Sequence, residues 1–240
     1  MSDHDPKIIV ALDFNDVELA NQFINKVSPS LCRLKIGKQL FTQQGPKWVE
    51  HVINRGFDVF LDLKFHDIPN TVANACFEAA QLGVWMINVH AMGGKAMLHA
   101  AREGIARANS VSPPLLTGVT LLTSLSHNDL IELGLSGTIE EHVVRLAGLC
   151  FDAGLDGVVC SALEAPILKS LYGKAFKLVT PGIRPLQSHH QDQKRTLTPE
   201  EAILNGVDYL VIGRAITQSN DPLSELKTIQ ASLSLKGNKV

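Results

Sequence analysis

Cysteines are few in this chain, and their spacing excludes the common cysteine-based sites. Four of them, Cys32, Cys76, Cys150 and Cys160, are spread through 240 residues without a CxxC pair. Zinc knuckles and dithiol redox motifs need closely spaced pairs, so neither is supported. We expect four reduced thiols in the hydrophobic core.

An excess of charge and a long apolar run are also absent. The formal net charge is −2 and no block of like charges occurs, so no general field attracts nucleic acid or an anionic membrane. No apolar run approaches the length of a membrane span, and the first residues, MSDHDPKIIV, lack the regions of a signal peptide. These absences predict a cytoplasmic protein that binds neither nucleic acid nor membrane. An anionic ligand would need local binding groups.

No stretch rich in Ser, Gly and Pro divides the sequence. Hydrophobic residues make up 45% of the chain and charged residues 19%, which is enough apolar content for a large core. Residues 1–240 are therefore predicted to form one domain.

Short, β-rich apolar runs recur along the chain. Eight are found: KIIVALD, CRLKIG, FDVFLD, WMINVH, LLTGVTLL, GVVC, FKLVT and DYLVIG. Segments with helical spacing lie between most of them, such as the stripe Val72, Ala75, Cys76 and Ala79. Runs that are apolar at successive positions suit parallel strands covered on both faces, so we predict an α/β fold, a (β/α)8 TIM barrel. A doubly wound open sheet is the alternative, because periodicity alone does not establish closure.

Polar residues follow the carboxyl ends of these strands. That rim is where barrels of this type build active sites. The residues at the predicted rim are Asp13, Lys35, Asp62, Lys64, His90, Thr123, Arg184, Gly213 and Arg214.

The third strand runs into the charged stretch DLKFHD. Side chains two apart on a strand point the same way, so Asp62 and Lys64 should project together. Lys35 and Asp13 would enter from the two preceding strands, giving a row of alternating charges that are mutually paired. The alternative is a purely structural ion-pair network, with Asp67 as the N-cap of the next helix.

A metal site is a rival interpretation of the same stretch. Asp62, His66 and Asp67 offer oxygen and nitrogen ligands for Mg²⁺ or a transition ion. Lys64 argues against it, because an ammonium among carboxylates already supplies the cation. His66 has the opposite parity to Asp62, so we interpret it as a packing or hydrogen-bonding residue.

A phosphate site is predicted after the last two strands. Gly182 and Gly213 allow backbone N–H groups to approach an anion, a helix start after Gly213 adds a favourable dipole, and Arg214 supplies a charged fork. Loops at this place in a barrel are a frequent phosphate site. The polar segment 184–198 is long for a βα connection, and we interpret it as a lid in which Gln193 could reach a ligand. A solvated loop is its alternative.

These motifs resemble those of the orotidine 5′-phosphate decarboxylase family. In order along nearly the whole chain they are VALD, KIG, DLKFHDIPNT, LTS, PGIR, the DQ of the long loop and IGRAI. The resemblance implies conversion of orotidine 5′-monophosphate to UMP and CO₂, the last step of de novo UMP synthesis, by a barrel that uses no metal or organic cofactor.

The resemblance also implies roles for individual residues. Lys64 matches the proton donor, and the other members of the catalytic Lys/Asp array match Lys35, Asp62 and Asp67. The residues that match substrate-binding positions are Asp13 at the ribose, Thr123 near the pyrimidine, and Arg184, Gln193, Gly213 and Arg214 at the phosphate, with Lys35 and Asp62 beside the substrate. Asp67, Ile68 and Thr71 match positions that reach into a neighbouring subunit's site, which implies a homodimer.

Two other functions are compatible with the same residues. One is a Mg²⁺-dependent decarboxylase or aldolase acting on a sugar phosphate in a related barrel. The other is a noncatalytic nucleotide-binding barrel, which would have no need for the Lys/Asp array.

Overall fold

Eight parallel strands form a closed barrel in a computed structural model, which describes residues 5–184 and 197–237. Every strand pairs with its neighbours in chain order, and β8 closes on β1 with Ile9 beside Val211. The barrel prediction is confirmed and the open-sheet alternative is wrong, and each predicted run overlaps one strand. The strands are β1 Ile8–Ala11, β2 Arg33–Gly37, β3 Val59–Phe65, β4 Met86–His90, β5 Leu115–Val119, β6 Gly157–Val159, β7 Lys177–Thr180 and β8 Tyr209–Ile212.

Helices cover the outside of the barrel. Three begin at capping boxes, in which Ser126, Thr138 and Thr198 accept a hydrogen bond from the backbone N–H three residues later. The α-helices are α1 Val17–Lys26, α2 Lys38–Gln44, α3 Pro46–Asn54, α4 Pro69–Gln81, α5 Gly94–Arg107, α6 His127–Glu132, α7 Ile139–Asp152, α8 Ala165–Tyr172, α9 Pro199–Leu204, α10 Arg214–Thr217 and α11 Pro222–Gly237, with a 3₁₀ turn at Ala91–Gly93. None of the described helices combines the length and apolar character needed to cross a bilayer.

Helix α4 carries the predicted apolar stripe. Val72, Cys76 and Ala79 are buried, while Ala75 is partly exposed because the buried face is centred slightly to one side of the predicted one. All four cysteines of the chain are free and buried, as predicted. Burial raises the pKa of the Cys76 thiol to about 12. These thiols therefore serve packing.

The inside of the barrel is layered because alternate residues of each strand point inward. At the amino end Arg33 closes the barrel, with its guanidinium carbon 4.0 Å from the centre of the Trp85 ring and 5.2 Å from that of Tyr209. A small apolar cluster including Phe60 and Met86 fills the middle. Two residues after Phe60 and Met86, the inward side chains are the polar Asp62 and Asn88. The layering thus separates Arg33 at the amino end from the charged groups at the carboxyl rim by an apolar middle layer.

Candidate active site

Four charged side chains form a row at the carboxyl rim. Lys35 lies between two carboxylates, with its Nζ 3.3 Å from Oδ1 of Asp13 and 3.2 Å from Oδ2 of Asp62. Asp62 in turn lies between two lysines, because Nζ of Lys64 is 2.5 Å from its Oδ1. Carboxylates and ammonium groups therefore alternate along the row, as the strand pattern predicted.

Burial is deepest at the centre of this row and shapes its ionisation. The Lys35 and Asp62 side chains are each only 11% exposed, against 60% for Asp13. Burial, the largest influence, would raise the pKa of Asp62, but the charges of Lys35 and Lys64 outweigh it and lower that pKa. Burial likewise opposes the charge on Lys35, yet the two flanking aspartates raise its pKa. The centre of the row is thus held fully ionised.

Strand β3 is irregular where it carries Lys64. The register passes from Leu61 beside Ile87 to Phe65 beside Val89, so three residues of β3 face a single residue of β4. Within this bulge Lys64 has a φ of 52°, in the left-handed region that long side chains rarely occupy. Such a conformation costs on the order of 1–3 kcal/mol and persists only where the surroundings enforce it. Simple alternation did not predict this irregularity.

The single residue of β4 that faces the bulge is Asn88, which sequence reasoning missed. Its side chain is completely buried. Oδ1 accepts a hydrogen bond from the backbone N–H of Lys64 at 2.8 Å, and Nδ2 donates to Oδ1 of Asp62 at 2.6 Å. The available signal was a lone amide in the apolar run WMINVH, in phase with His90.

Two histidines pack beside the row. The ring centres of His66 and His90 are 5.3 Å apart, which agrees with the interpretation of His66 as a packing residue. Burial lowers the pKa of His90 to about 4, with further contributions from the positive charges of His66, Lys64 and Lys38. His90 is therefore neutral at pH 7.

Asp67, Ile68 and Thr71 lie where α4 begins, and all three are exposed. The N-cap of α4 is Ile68, so the alternative that Asp67 caps this helix is wrong. Asp67 instead accepts a hydrogen bond from the N–H of Ile68 at 2.7 Å. Within the described part of the chain, no ion pair joins Asp67 to Lys64.

A cavity of about 250 Å³ connects the charge row with the predicted phosphate loops. One side of it is formed by Asp13, Lys35 and Asp62, and the other by residues that follow β7 and β8. The latter are Pro181, Gly182, Ile183, Arg184, Gly213, Arg214 and Ala215. Arg184 and Arg214 thus line the same cavity as the aspartate and lysine side chains.

Gly182 and Gly213 lie in the two loops for which the sequence predicted a phosphate site, and both line the cavity. Gly182 has a φ of 80°, which a residue with a Cβ rarely adopts. Beyond it, Ile183 pairs with Leu197, and the N–H of Arg184 donates to the carbonyl of Leu197 at 3.0 Å. The two ends of the long segment are therefore held side by side at the cavity. Gln193 and most of the predicted lid lie outside the described residues.

Thr123 is placed in the connection between β5 and α6, partly exposed at the same rim. It is not among the residues that line the cavity.

The structure does not support a metal site at this rim. In residues 5–184 and 197–237, no three His, Cys, Asp or Glu side chains are grouped so that they could bind a metal ion. Asp62, one of its proposed ligands, already accepts contacts from Lys35, Lys64 and Asn88. The described donors thus do not fit a divalent cation at this position.

Fold and site together define a (β/α)8 barrel enzyme whose cavity is lined by lysine and aspartate side chains of the charge row and by two arginines. Comparison with known proteins identifies the family of barrel enzymes to which this chain belongs. A family model described as "Orotidine 5′-phosphate decarboxylase / HUMPS family" matches residues 6–229. The chain belongs to this family.

Individual relatives agree along almost their full length. The chain is 55% identical over 229 residues to an orotidine 5′-phosphate decarboxylase of Hydrogenovibrio crunogenus, covering 95% of this chain and 96% of the relative. It is 55% identical to the protein of the same name from Pseudoalteromonas atlantica, with 95% and 99% covered. A solved orotidine 5′-phosphate decarboxylase from Lactobacillus acidophilus is 35% identical and superimposes with a TM-score of 0.85, with 95% of this chain and 99% of that chain covered.

Proposed function

We propose that this protein decarboxylates orotidine 5′-monophosphate to UMP and CO₂. The observation that carries the proposal is the charge row from Asp13 to Lys64, of which Asp13, Lys35 and Asp62 line a cavity together with Arg184 and Arg214. A nucleotide with a ring at the row and a phosphate at the arginines would meet complementary charge at both ends. Family membership and relatives of that name support the same reaction.

The chemical difficulty of this reaction is the charge left on C6 of the pyrimidine. The carbanion lies in the plane of the ring and does not delocalise into the ring carbonyls, so the uncatalysed barrier is very high. Enzymes lower barriers by roughly 8–23 kcal/mol, and this reaction needs the upper part of that span. In the proposed mechanism the ammonium of Lys64 faces C6, stabilises the charge as CO₂ departs and then donates the proton.

Preorganisation makes that ammonium effective. Asp62 holds Nζ of Lys64 at 2.5 Å, and Lys35 holds the other oxygen of Asp62. Because these charges are paired in a largely buried place, little rearrangement is required when charge develops on the substrate. The array of Lys35, Asp62, Lys64 and Asp67 is the proposed catalytic group.

The remaining contacts position the substrate. Asp13 is proposed to bind the ribose and Thr123 the pyrimidine. The 5′-phosphate is proposed to lie against Arg184, Gly213 and Arg214, with Gln193 approaching from the long segment acting as a lid. Phosphate binding far from C6 can align the ring and close the site, so it should favour the transition state beyond simple tethering.

A homodimer with shared active sites completes the proposal. Ile68 is 66% exposed and stands between the exposed polar residues Asp67 and Thr71. We propose that Asp67, Ile68 and Thr71 enter the site of the neighbouring subunit, where Asp67 would become the second carboxylate beside that subunit's lysine. An exposed isoleucine beside an outward-facing acid suits such an interface.

We further propose that residues 1–240 act as one catalytic domain in the cytoplasm, without a cofactor, nucleic acid or membrane partner. The even distribution of charge and the absence of a spanning helix among the described residues support this setting.

One assay tests the proposed reaction. Purified protein is mixed with orotidine 5′-monophosphate and EDTA, and the ultraviolet change that accompanies UMP formation is followed. Turnover that EDTA does not reduce is expected. Turnover of a sugar phosphate that EDTA abolishes would instead support the Mg²⁺-dependent alternative. Tight UMP binding without any turnover would support a nucleotide-binding barrel.

A further inference from the structure

Asn88 forms hydrogen bonds both to the backbone of Lys64 and to the carboxylate that holds its ammonium. The orientation of its amide follows from its two partners. A backbone N–H can only donate, so it must face Oδ1, and an ionised carboxylate can only accept, so it must face Nδ2. The assignment of the two amide atoms is therefore unambiguous.

This bridge spans the place where the barrel's backbone pairing is interrupted. Residues 62–64 of β3 have no regular partners on β4, because Asn88 alone stands opposite the bulge. Its Oδ1 takes the N–H of Lys64 while that residue has a φ of 52°. In a regular strand the Lys64 side chain would leave the backbone in another direction. The bond from Asn88 thus supports the unusual conformation from which Lys64 extends to Asp62.

The contact with Asp62 acts on the other end of the lysine. Oδ1 of Asp62 receives both Nδ2 of Asn88 at 2.6 Å and Nζ of Lys64 at 2.5 Å. Lys35 holds Oδ2 of the same carboxylate. With three partners the carboxylate has one orientation, and that orientation sets where the ammonium lies.

We propose that Asn88 is a positioning residue for Lys64, which fixes the lysine backbone through Oδ1 and its counter-ion through Nδ2. The inference rests on the proposed function for the catalytic role of Lys64. The effect of Asn88 on the conformation of Lys64 does not depend on that function. Asn88 is not among the residues that line the cavity. It acts through Lys64.

A double-mutant cycle tests the coupling. Asn88→Ala, Lys64→Ala and the double variant are compared with the unmodified protein for kcat, KM and the Kd of UMP. We expect Asn88→Ala to lower kcat at least about 100-fold, a loss typical of misplaced catalytic groups, while the Kd of UMP changes by less than about 3-fold. In the Lys64→Ala background the same change should have almost no further effect on kcat.

Thr117→Val is the matched control, because Thr117 is the β5 residue directly beside Asn88 and is equally buried. It also loses a buried hydrogen bond, from Oγ1 to the carbonyl of Ile87. We expect it to leave the ratio of kcat to the Kd of UMP almost unchanged. An equal loss of kcat in Thr117→Val, or an equal loss from Asn88→Ala with and without Lys64, would overturn the proposal.

A crystal structure of Asn88→Ala supplies a readout that does not depend on turnover. The φ of Lys64 should leave the left-handed region, or Nζ should move beyond the 2.5 Å contact with Asp62. An unchanged Lys64 would refute positioning. If the alanine variant does not fold, Asn88→Asp keeps the size and the acceptor but loses the donor, and the Asp62 contact should break. If the unmodified protein fails to turn over orotidine 5′-monophosphate, the proposed function fails while this structural comparison still decides the inference.

Discussion

Replacement of Lys64 by alanine should affect catalysis far more than stability in this protein. The substitution removes the ammonium from Oδ1 of Asp62 but leaves Lys35 at 3.2 Å and Asn88 at 2.6 Å from that carboxylate. Breaking a buried ion pair completely costs about 3–5 kcal/mol. Because Asp62 keeps two partners and Lys64 is 25% exposed, we expect a smaller loss, about 1–2 kcal/mol in the free energy of unfolding.

The effect on the reaction should be far larger. Proton donation by a positioned group contributes about 10²–10⁴-fold to the rate. A unit charge about 4 Å from the forming carbanion adds about 4 kcal/mol at an effective dielectric constant of about 20, which is about 10³-fold. Together these predict a fall in kcat of about 10⁵–10⁷-fold. Binding of UMP should be reduced much less, because Arg184 and Arg214 are untouched.

The measurement is single-turnover conversion of orotidine 5′-monophosphate with EDTA present, alongside urea unfolding of the same preparation. Lys95→Ala is the control, since it removes a lysine from an exposed pair in which Nζ lies 3.6 Å from Asp152. That control should retain normal kcat. If Lys64→Ala keeps kcat within tenfold of the unmodified protein, the role assigned to the ammonium is wrong.

Three further predictions concern the phosphate, the histidine and the interface. Arg214→Ala should raise KM for orotidine 5′-monophosphate by about 10–100-fold, the worth of a charged hydrogen bond, and an equal effect on orotidine, which lacks phosphate, would contradict the assignment. Between pH 6.5 and about 4 the unfolded chain protonates His90 and the folded protein does not, so the free energy of unfolding should fall as the pH falls, by about 1–3 kcal/mol. His90→Gln should flatten this part of the curve measured by urea unfolding, whereas the contribution of Asp62 is lost only below its ordinary pKa of 3.8. Ile68→Glu should shift the protein from dimer to monomer in analytical ultracentrifugation, while Ile131→Glu, at an isoleucine of similar exposure, should not; a dimer that survives Ile68→Glu would contradict the shared site.

Much of the architecture was readable from local pattern. Eight apolar runs with helical segments between them predicted the strands, and polar residues at their carboxyl ends predicted the rim. Strand order and parity predicted that Asp13, Lys35 and Asp62 lie together, and the structure contains the contacts that join them to one another and to Lys64. The sequence also indicated a special backbone conformation at Gly182, because a loop that turns sharply near an anion favours glycine, and its φ is 80°.

Other features could not be read from local pattern. Asp67 looked like an N-cap because it precedes a helix with proline near its start, yet the chain places Ile68 at that position. Capping depends on the backbone angles at the helix start, which the packing of α4 against its neighbours selects. Closure of the sheet likewise depends on β8 meeting β1, about two hundred residues apart in sequence.

The sequence alone determined which side chains face the barrel and where charge gathers, because inward direction follows from a period of two within each strand. Only the tertiary structure decided how Lys64 is presented. A bulge of three residues against one, a φ of 52° and the bridging amide of Asn88 are set by pairing between strands. Such pairing joins residues that no local periodicity relates, so the conformation of the lysine emerges only when β3 and β4 lie side by side.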